Sequence, residues 1–161
     1  MKGISLKSRA ATPQSRRIRH FELRDLPAIL RIERASFAED AWDREIFDEY
    51  IAKAPDLFLV AVAGEKIAGY ILAARTRTGA EIASVAVLPA YRKAGIARML
   101  IKKIIRKIAR AHGETIWLMV RPDNDNAIAL YRSVGFVHTR TVANYYENGA
   151  SGWKMTLRIN P

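Results

Sequence analysis

The chain has 161 residues, 50% of them hydrophobic and 27% charged, a balance that suits one soluble domain with a single core and leaves too little length for two. With 27 Lys and Arg against 16 Asp and Glu the net charge is +11, so anionic partners are favoured and cationic ones repelled. The absence of cysteine excludes disulfides, thiolate metal sites and any S-acyl enzyme intermediate.

Residues 1–17 carry Lys2, Lys7, Arg9, Arg16 and Arg17 with no acidic residue, which predicts a flexible basic tail ahead of one domain over 18–161. The tail reads either as an arm for nucleic acid or as a solvated terminus. No window approaches the roughly 18 apolar residues of a membrane span, and the opening lacks the apolar stretch of a secretory signal, so a cytoplasmic location is expected.

Residues 18–23 predict a first strand, and Asp25-Leu26-Pro27 opens a helix with Pro just inside its start. Leu26, Ile29, Leu30, Ile32 or Glu33, and Phe37 form its stripe; the pattern breaks over 38–41 and resumes over 42–52 as a second helix. Residues 57–62, the turn at Gly64-Glu65 and residues 66–75 predict a hairpin, and Gly79 turns the chain into a strand over 81–88. After Pro89, Ile96, Leu100, Ile104 and Ile108 recur every four residues among Lys102, Lys103, Arg106, Lys107 and Arg110, predicting a long amphipathic helix over 94–111. Residues 115–120 form a strand, Asp123 or Asn124 caps a helix through Val134, Gly135 ends it, and residues 136–142 and 153–159 close the chain as a hairpin. The predicted fold is α/β of the α+β kind: a mixed, mostly antiparallel sheet with helices on both faces.

The sequence contains no phosphate-binding loop, dinucleotide fingerprint, nucleophile elbow or H-E-x-x-H, and its histidines, His20, His112 and His138, are scattered, so no metal site is expected. One stretch is informative: from Val85 through Arg98 a strand runs through a basic, small-residue turn into a helix. Gly95 and Ala97 leave room, the first-turn N–H groups are unpaired, and Arg92, Lys93 and Arg98 add positive charge, a combination suited to a pyrophosphate. An ordinary basic helix start fits the same residues.

Arg92-x-x-Gly95-x-Ala97 resembles the R/Q-x-x-G-x-G/A signature of the GNAT acetyltransferase superfamily, and Asn124-x-x-Ala127-x-x-x-Tyr131-x-x-x-Gly135-Phe136 resembles its second block. Residues 117–121, 127–131 and 144–146 are most similar to the N-terminal acetyltransferases, especially the bacterial ribosomal-protein-alanine branch and its archaeal relatives. The resemblance implies acetyl-CoA in a V-shaped split between strands 4 and 5. Its pyrophosphate would rest on the backbone from Arg92 and Lys93 through Ala94, Gly95, Ile96 and Ala97 beside Arg98, and its pantetheine would pair near Val85 and Val87. Asn124 would face the pantetheine arm and Tyr131 would serve as general acid at the sulfur. The peptide would lie between two aromatic-bearing loops, one with Phe37 and Trp42, the other with Tyr145 and Tyr146.

The ribosomal-protein branch carries a fifth-strand glutamate as base where this chain has Met119, which accepts no proton at neutral pH; Glu81, aligned with the fourth-strand glutamate of the histone-acetyltransferase branch, becomes the candidate, and an exposed charge at a strand start beside Gly79 fits the same residue. A lysine amine costs roughly 4.6 kcal/mol to deprotonate at pH 7 and an α-amine roughly 1.1 kcal/mol, so a weak base suits an N-terminus. The expected activity is transfer of an acetyl group to a protein or peptide N-terminus on a ribosomal or other anionic assembly, by direct attack, in a protein taken as a monomer. The alternatives are a lysine or small-amine acetyltransferase of the same fold, or a basic nucleic-acid-binding module without catalysis.

Overall fold

The structure, a computed structural model, describes residues 15–159. Its elements are β1 (Arg16–His20), α1 (Leu26–Phe37), α2 (Arg44–Lys53), β2 (Phe58–Ala63), β3 (Lys66–Thr76), β4 (Gly79–Val87), α3 (Ile96–Arg110), β5 (Thr115–Val120), α4 (Asp125–Val134), β6 (Val137–Val142) and β7 (Gly152–Arg158). The strands form one sheet in the order β1-β2-β3-β4-β5-β7-β6, in which β4 and β5 are parallel and the other neighbours antiparallel.

Every residue of β2 is buried, because both faces of the sheet are covered, and a strand covered twice reads as a continuous apolar run. On one face Phe58, Val60, Tyr70 and Leu72 pack under α1 and α2, joined by Ile29, Ile32 and Phe47. On the other Leu59, Ile71, Ile82 and Leu118 meet Leu100, Ile104 and Ile108 of α3 and Ile128 and Tyr131 of α4.

Several boundaries differ from the sequence expectation. Arg16 and Arg17, assigned above to the tail, begin β1 and pair with Ala63 and Val62; an edge strand needs only backbone partners, so its cationic side chains can stay in water. The remaining tail, 1–14, lies outside the described residues. β1 ends at His20, not Leu23, because Asp25 accepts the Glu22 amide at 2.8 Å and holds the Arg19 guanidinium at 2.7 and 2.9 Å, folding Leu23–Asp25 into a 3₁₀ turn. α2 starts at Arg44, where Asp43 caps the Ile46 amide, and α3 at Ile96, because Gly95 has a φ of +78° that cannot continue into a helix.

The feature that shapes the site is the parallel pairing of β4 with β5. It runs from Gly79↔Thr115 to Ile82↔Leu118 and stops, although β4 continues to Val87 and β5 to Val120. A bulge at this point, where Leu72 pairs Ser84 and Ala73 pairs Ile82, leaves Ala83 unmatched and turns the end of β4 away. At the closed end a Cβ on Gly79 would lie 1.8 Å from the Thr115 carbonyl oxygen, so that position requires glycine. Gly79→Ala should therefore cost at least ~2 kcal/mol and lower Tm by roughly 4–8 °C in a calorimetric scan; an unchanged Tm would show that the split does not depend on this close approach.

Candidate active site

A cavity of about 660 Å³ occupies the split. It runs through the sheet, lined by Ser36, Phe37 and Ala86 on the α1 face and by Ile96, Ala97, Leu130 and Tyr131 on the α3/α4 face. At one end lies the turn into α3. The first backbone bond of that helix runs from the Met99 amide to the Gly95 carbonyl at 3.0 Å, and the amides of residues 93–98 donate to no backbone carbonyl among the described residues. Unpaired amides at a helix start attract anions, and no acidic residue lies nearby in sequence between Glu81 and Glu114.

Of the predicted binding residues, Val85, Val87, Arg92, Lys93, Gly95, Ile96, Ala97, Arg98, Asn124 and Tyr131 line this one cavity. Ala94 does not; its carbonyl accepts Arg16 Nη1 at 2.9 Å, tying β1 to the turn. The Arg92 guanidinium turns back, with Nε donating to the Val87 carbonyl at 2.9 Å and Nη2 to Ser36 Oγ at 3.4 Å, so it braces the cleft instead of adding its charge to the helix start. Asn124 caps α4, its Oδ1 accepting the Ala127 amide at 3.2 Å. Asn126 and Leu130, unflagged above, and Ala127 of the second block share the wall with Asn124 and Tyr131, and their spacing along one face of α4 was a usable signal.

Tyr131 is 8% exposed, its ring edge-on to Phe136 at 6.1 Å. Burial pushes its hydroxyl up to about 12, so it stays protonated at neutral pH.

On the opposite face, Glu81 stands across from Trp117, beside which Lys154 places Nζ 4.4 Å from the indole centre. The sequence left open whether Glu81 is an exposed strand-start charge; it is half-buried, and desolvation raises its carboxyl while Lys154 pulls it down. Its charge in turn raises the hydroxyls of Tyr50 on α2 and Tyr145 in the β6–β7 loop, for both of which desolvation is the larger cause. Met119 alternates with the buried Leu118 and Val120 and shares the Glu81 face, next to Gly152 and across from Lys154.

The two aromatic loops are joined by one cluster. Arg121, just past β5, donates to Asp40 Oδ2 at 2.8 and 2.5 Å and lies 4.0 Å from the ring centre of Tyr146, which packs edge-on to Tyr145. Desolvation, aided by Tyr145, pushes the Tyr146 hydroxyl up to about 12 against the pull of Arg121. Phe37 lines the cavity, whereas Trp42 does not, because it stacks on Tyr50 at 5.2 Å and meets Phe47 edge-on as part of the α1/α2 core.

Residues 23–136 match the model of the acetyltransferase (GNAT) family. The chain belongs to that family. It is 34% identical to the N-alpha-acetyltransferase RimI of Mycobacterium tuberculosis over 73% of this chain and 75% of the relative. It is 32% identical to the ribosomal protein bS18-alanine N-acetyltransferase of Escherichia coli over 80% of this chain and 86% of that protein. Ard1 from Thermoplasma volcanium superposes with a TM-score of 0.87 at 26% identity, covering 91% of this chain and 99% of that one. The protein is thus an acetyltransferase, and the predicted mixed sheet with its split matches the GNAT architecture.

One residue placed above on the α1 stripe is part of this GNAT site's scaffold. Glu33 is 1% exposed, and its carboxylate accepts the Trp42 amide at 2.9 Å, the Tyr70 hydroxyl, and the Ser84 hydroxyl at 3.5 Å. It therefore ties the end of the α1–α2 loop to β3 and to β4 beside the bulge. Helical periodicity could not separate it from Ile32, since an ion on a core stripe looks like an error until its donors are seen. Desolvation raises its carboxyl despite the three donors. A raised native value means stability that is full below the unfolded carboxylate range and lost as pH rises through the native value. Glu33→Gln should then be most destabilising near pH 4, where the wild type is neutral, and its Tm deficit should shrink toward pH 8; a pH-independent deficit would show that the carboxyl does not titrate this way.

Proposed function

We propose that this enzyme moves the acetyl group of acetyl-CoA onto the N-terminal α-amine of a protein, by direct attack in a ternary complex. The observation that carries the reading is the cavity that crosses the split sheet, with unpaired helix amides at one end and a buried protonated tyrosine on its wall; the half-buried carboxylate of Glu81 stands outside that lining, on the opposite face of the sheet and across from Trp117. The residues fit acetyl-CoA: the amides of residues 93–98 suit a diphosphate, and β4 beyond Ile82 leaves an edge not paired to β5, against which an extended amide-bearing arm can bond. When bound, acetyl-CoA supplies an activated acetyl thioester.

In the reaction the amine nitrogen forms a bond to the acetyl carbon, the carbon–sulfur bond breaks, the surplus amine proton leaves to a base and the sulfur gains a proton. Tyr131, holding its proton well above neutral pH, is the proposed donor to the sulfur. Glu81, whose carboxyl is raised above its ordinary value by burial against the pull of Lys154, is the proposed acceptor, directly or through water. The chain has no cysteine, so no S-acyl enzyme competes with direct attack. An N-terminal amine is favoured because a lone carboxylate at this site is a weak base and an α-amine is the easier group to deprotonate. The M. tuberculosis and E. coli relatives named for N-alpha and bS18-alanine acetylation support the same acceptor, and the +11 charge supports one presented by an anionic assembly such as the ribosome.

The test is acetyl-CoA consumption with a peptide bearing a free N-terminus, the same peptide N-blocked with an internal lysine, and small amines; only the first should turn over efficiently, and preference for lysine or a small amine would overturn the assignment. Tyr131→Phe should lower kcat by roughly 10- to 10⁴-fold with coenzyme affinity little changed. Glu81→Gln should depress kcat/KM at neutral pH and regain most of the loss as pH passes that of the free amine; a profile that overlays the wild type would remove Glu81 as the base.

A further inference from the structure

From residue 82 to residue 113 the sequence has eight Lys or Arg and no acidic residue. Six of the eight lie on α3. Arg98, Lys102, Arg106 and Arg110 follow at intervals of four and stand in one row along the helix, about 18 Å long at ~1.5 Å per residue, with Lys103 and Lys107 beside it. None of the six forms an ion pair among the described residues, where every ion pair lies elsewhere. Like charges at this spacing repel along a helix and weaken it, and no ion pair among the described residues relieves them. What holds α3 in place is its other face, where Leu100, Ile101, Ile104 and Ile108 are at most 1% exposed. Past the helix end lies a groove of about 290 Å³ whose walls include Arg75, Arg77, His112 and Glu114.

We infer that the outer face of α3 is a docking surface for the phosphate backbone of RNA. The inference builds on the reading of the acceptor as an N-terminus carried by an anionic assembly. A lipid surface fits poorly, since the apolar side of α3 is consumed by the core and its only exposed large apolar residue is Met99, which leaves nothing to insert into a bilayer. An acidic protein fits poorly for the same reason: the face offers no aromatic or aliphatic anchor of the kind that carries protein interfaces. A row of cations without apolar content matches a row of phosphates, whose binding rests on counterion release and needs no base contacts. The row begins at Arg98, on the wall of the cleft, so an assembly held along it would present its protruding protein termini near the acetyl-transfer site.

The test is the affinity for a short labelled RNA, by fluorescence anisotropy between roughly 50 and 200 mM salt, with saturating acetyl-CoA present. The wild type should bind with a steep salt dependence. In K102Q/K103Q/R106Q/R110Q the slope of log K against log salt should fall by about 2.8–3.6, at roughly 0.7–0.9 for each phosphate no longer neutralised, while Tm rises as the repulsion is relieved. The comparison variant R132Q/R140Q/R158Q, on α4, β6 and β7, should bind nearly as the wild type does. Kinetics on a free N-terminal peptide should be the same in all three proteins, so a failure of the acetylation reading would appear there and not in RNA binding. An unchanged slope in the α3 variant, an equal loss in the comparison variant, release of the RNA by acetyl-CoA, or tighter binding to acidic vesicles or an acidic peptide than to RNA would each overturn the proposal.

Discussion

The site depends on four consecutive pairs of parallel strand residues and on their ending. Between Gly79↔Thr115 and Ile82↔Leu118 the sheet is continuous; beyond, β4 and β5 separate and a cavity passes between them. Backbone groups on a split edge need other partners, because a buried unpaired N–H or carbonyl costs about 1–3 kcal/mol. The open cavity lets water reach that edge, and the protein supplies one partner itself, the Arg92 side chain on the Val87 carbonyl. The split is held apart from outside as well. Ala127, Leu130 and Tyr131 of α4 enter on one face, and Ala86 lies beneath α1 on the other.

The walls of the cleft are not independent loops. Glu33 reaches the Trp42 amide, so the segment after α1 is fixed to the same carboxylate that reaches Ser84 beside the bulge. Nearby in the same loop, Asp40 holds Arg121 at the end of β5, and Arg121 lies against Tyr146 of the β6–β7 loop. One chain of contacts therefore runs from the bulge in β4 through the α1–α2 loop to the far wall. A change in any of these links should be felt in the spacing of the two walls, and so in the fit of a peptide, before it is felt at the coenzyme end. Trp42 takes part through packing: stacked on Tyr50, it supports the α2 side of the wall without entering the cavity.

Most of the fold was legible in the sequence because period and punctuation agree over long elements. The stripe of α3, the Asn124 cap and Gly135 stop of α4, and the apolar run of β5 all lie where their patterns place them. Legibility fails where one side chain's partner is remote. β1 was placed late because an edge strand shows no apolar alternation in Arg16 and Arg17, and its start is set by pairing with β2, some 45 residues away by the numbering of its partners. Glu33 and the bulge at Ala83 were invisible for a related reason: a buried carboxylate and an unmatched strand residue are defined by their partners on β3, which no local spacing encodes. The turn into α3 was legible because its chemistry is local, in free amides and small residues, yet the direction of the Arg92 side chain was not.

The face on which each titratable group lies was also beyond the sequence, and it bears most on the proposed chemistry. Along β5, Ile116, Leu118 and Val120 point to α3 and α4, so Trp117 and Met119 point to the other side; Glu81, between the buried Ala80 and Ile82, joins them there. Tyr131 approaches from the α3/α4 face. The proposed base and acid thus lie on opposite sides of the sheet; Glu81 is in the paired stretch, one residue before β4 and β5 part, so a path between the two groups runs through the gap beyond Ile82. In an unbroken sheet they would be separated by a layer of paired backbone. In the proposed reaction the amine approaches from the loop side and the sulfur departs toward the tyrosine side, which would leave each proton to a group on its own side of the reacting carbon. Met119 lies on the same side as Glu81, but a thioether accepts no proton, so the proposed base is Glu81, one strand over, where burial raises the carboxyl and the ammonium of Lys154 keeps the rise in check.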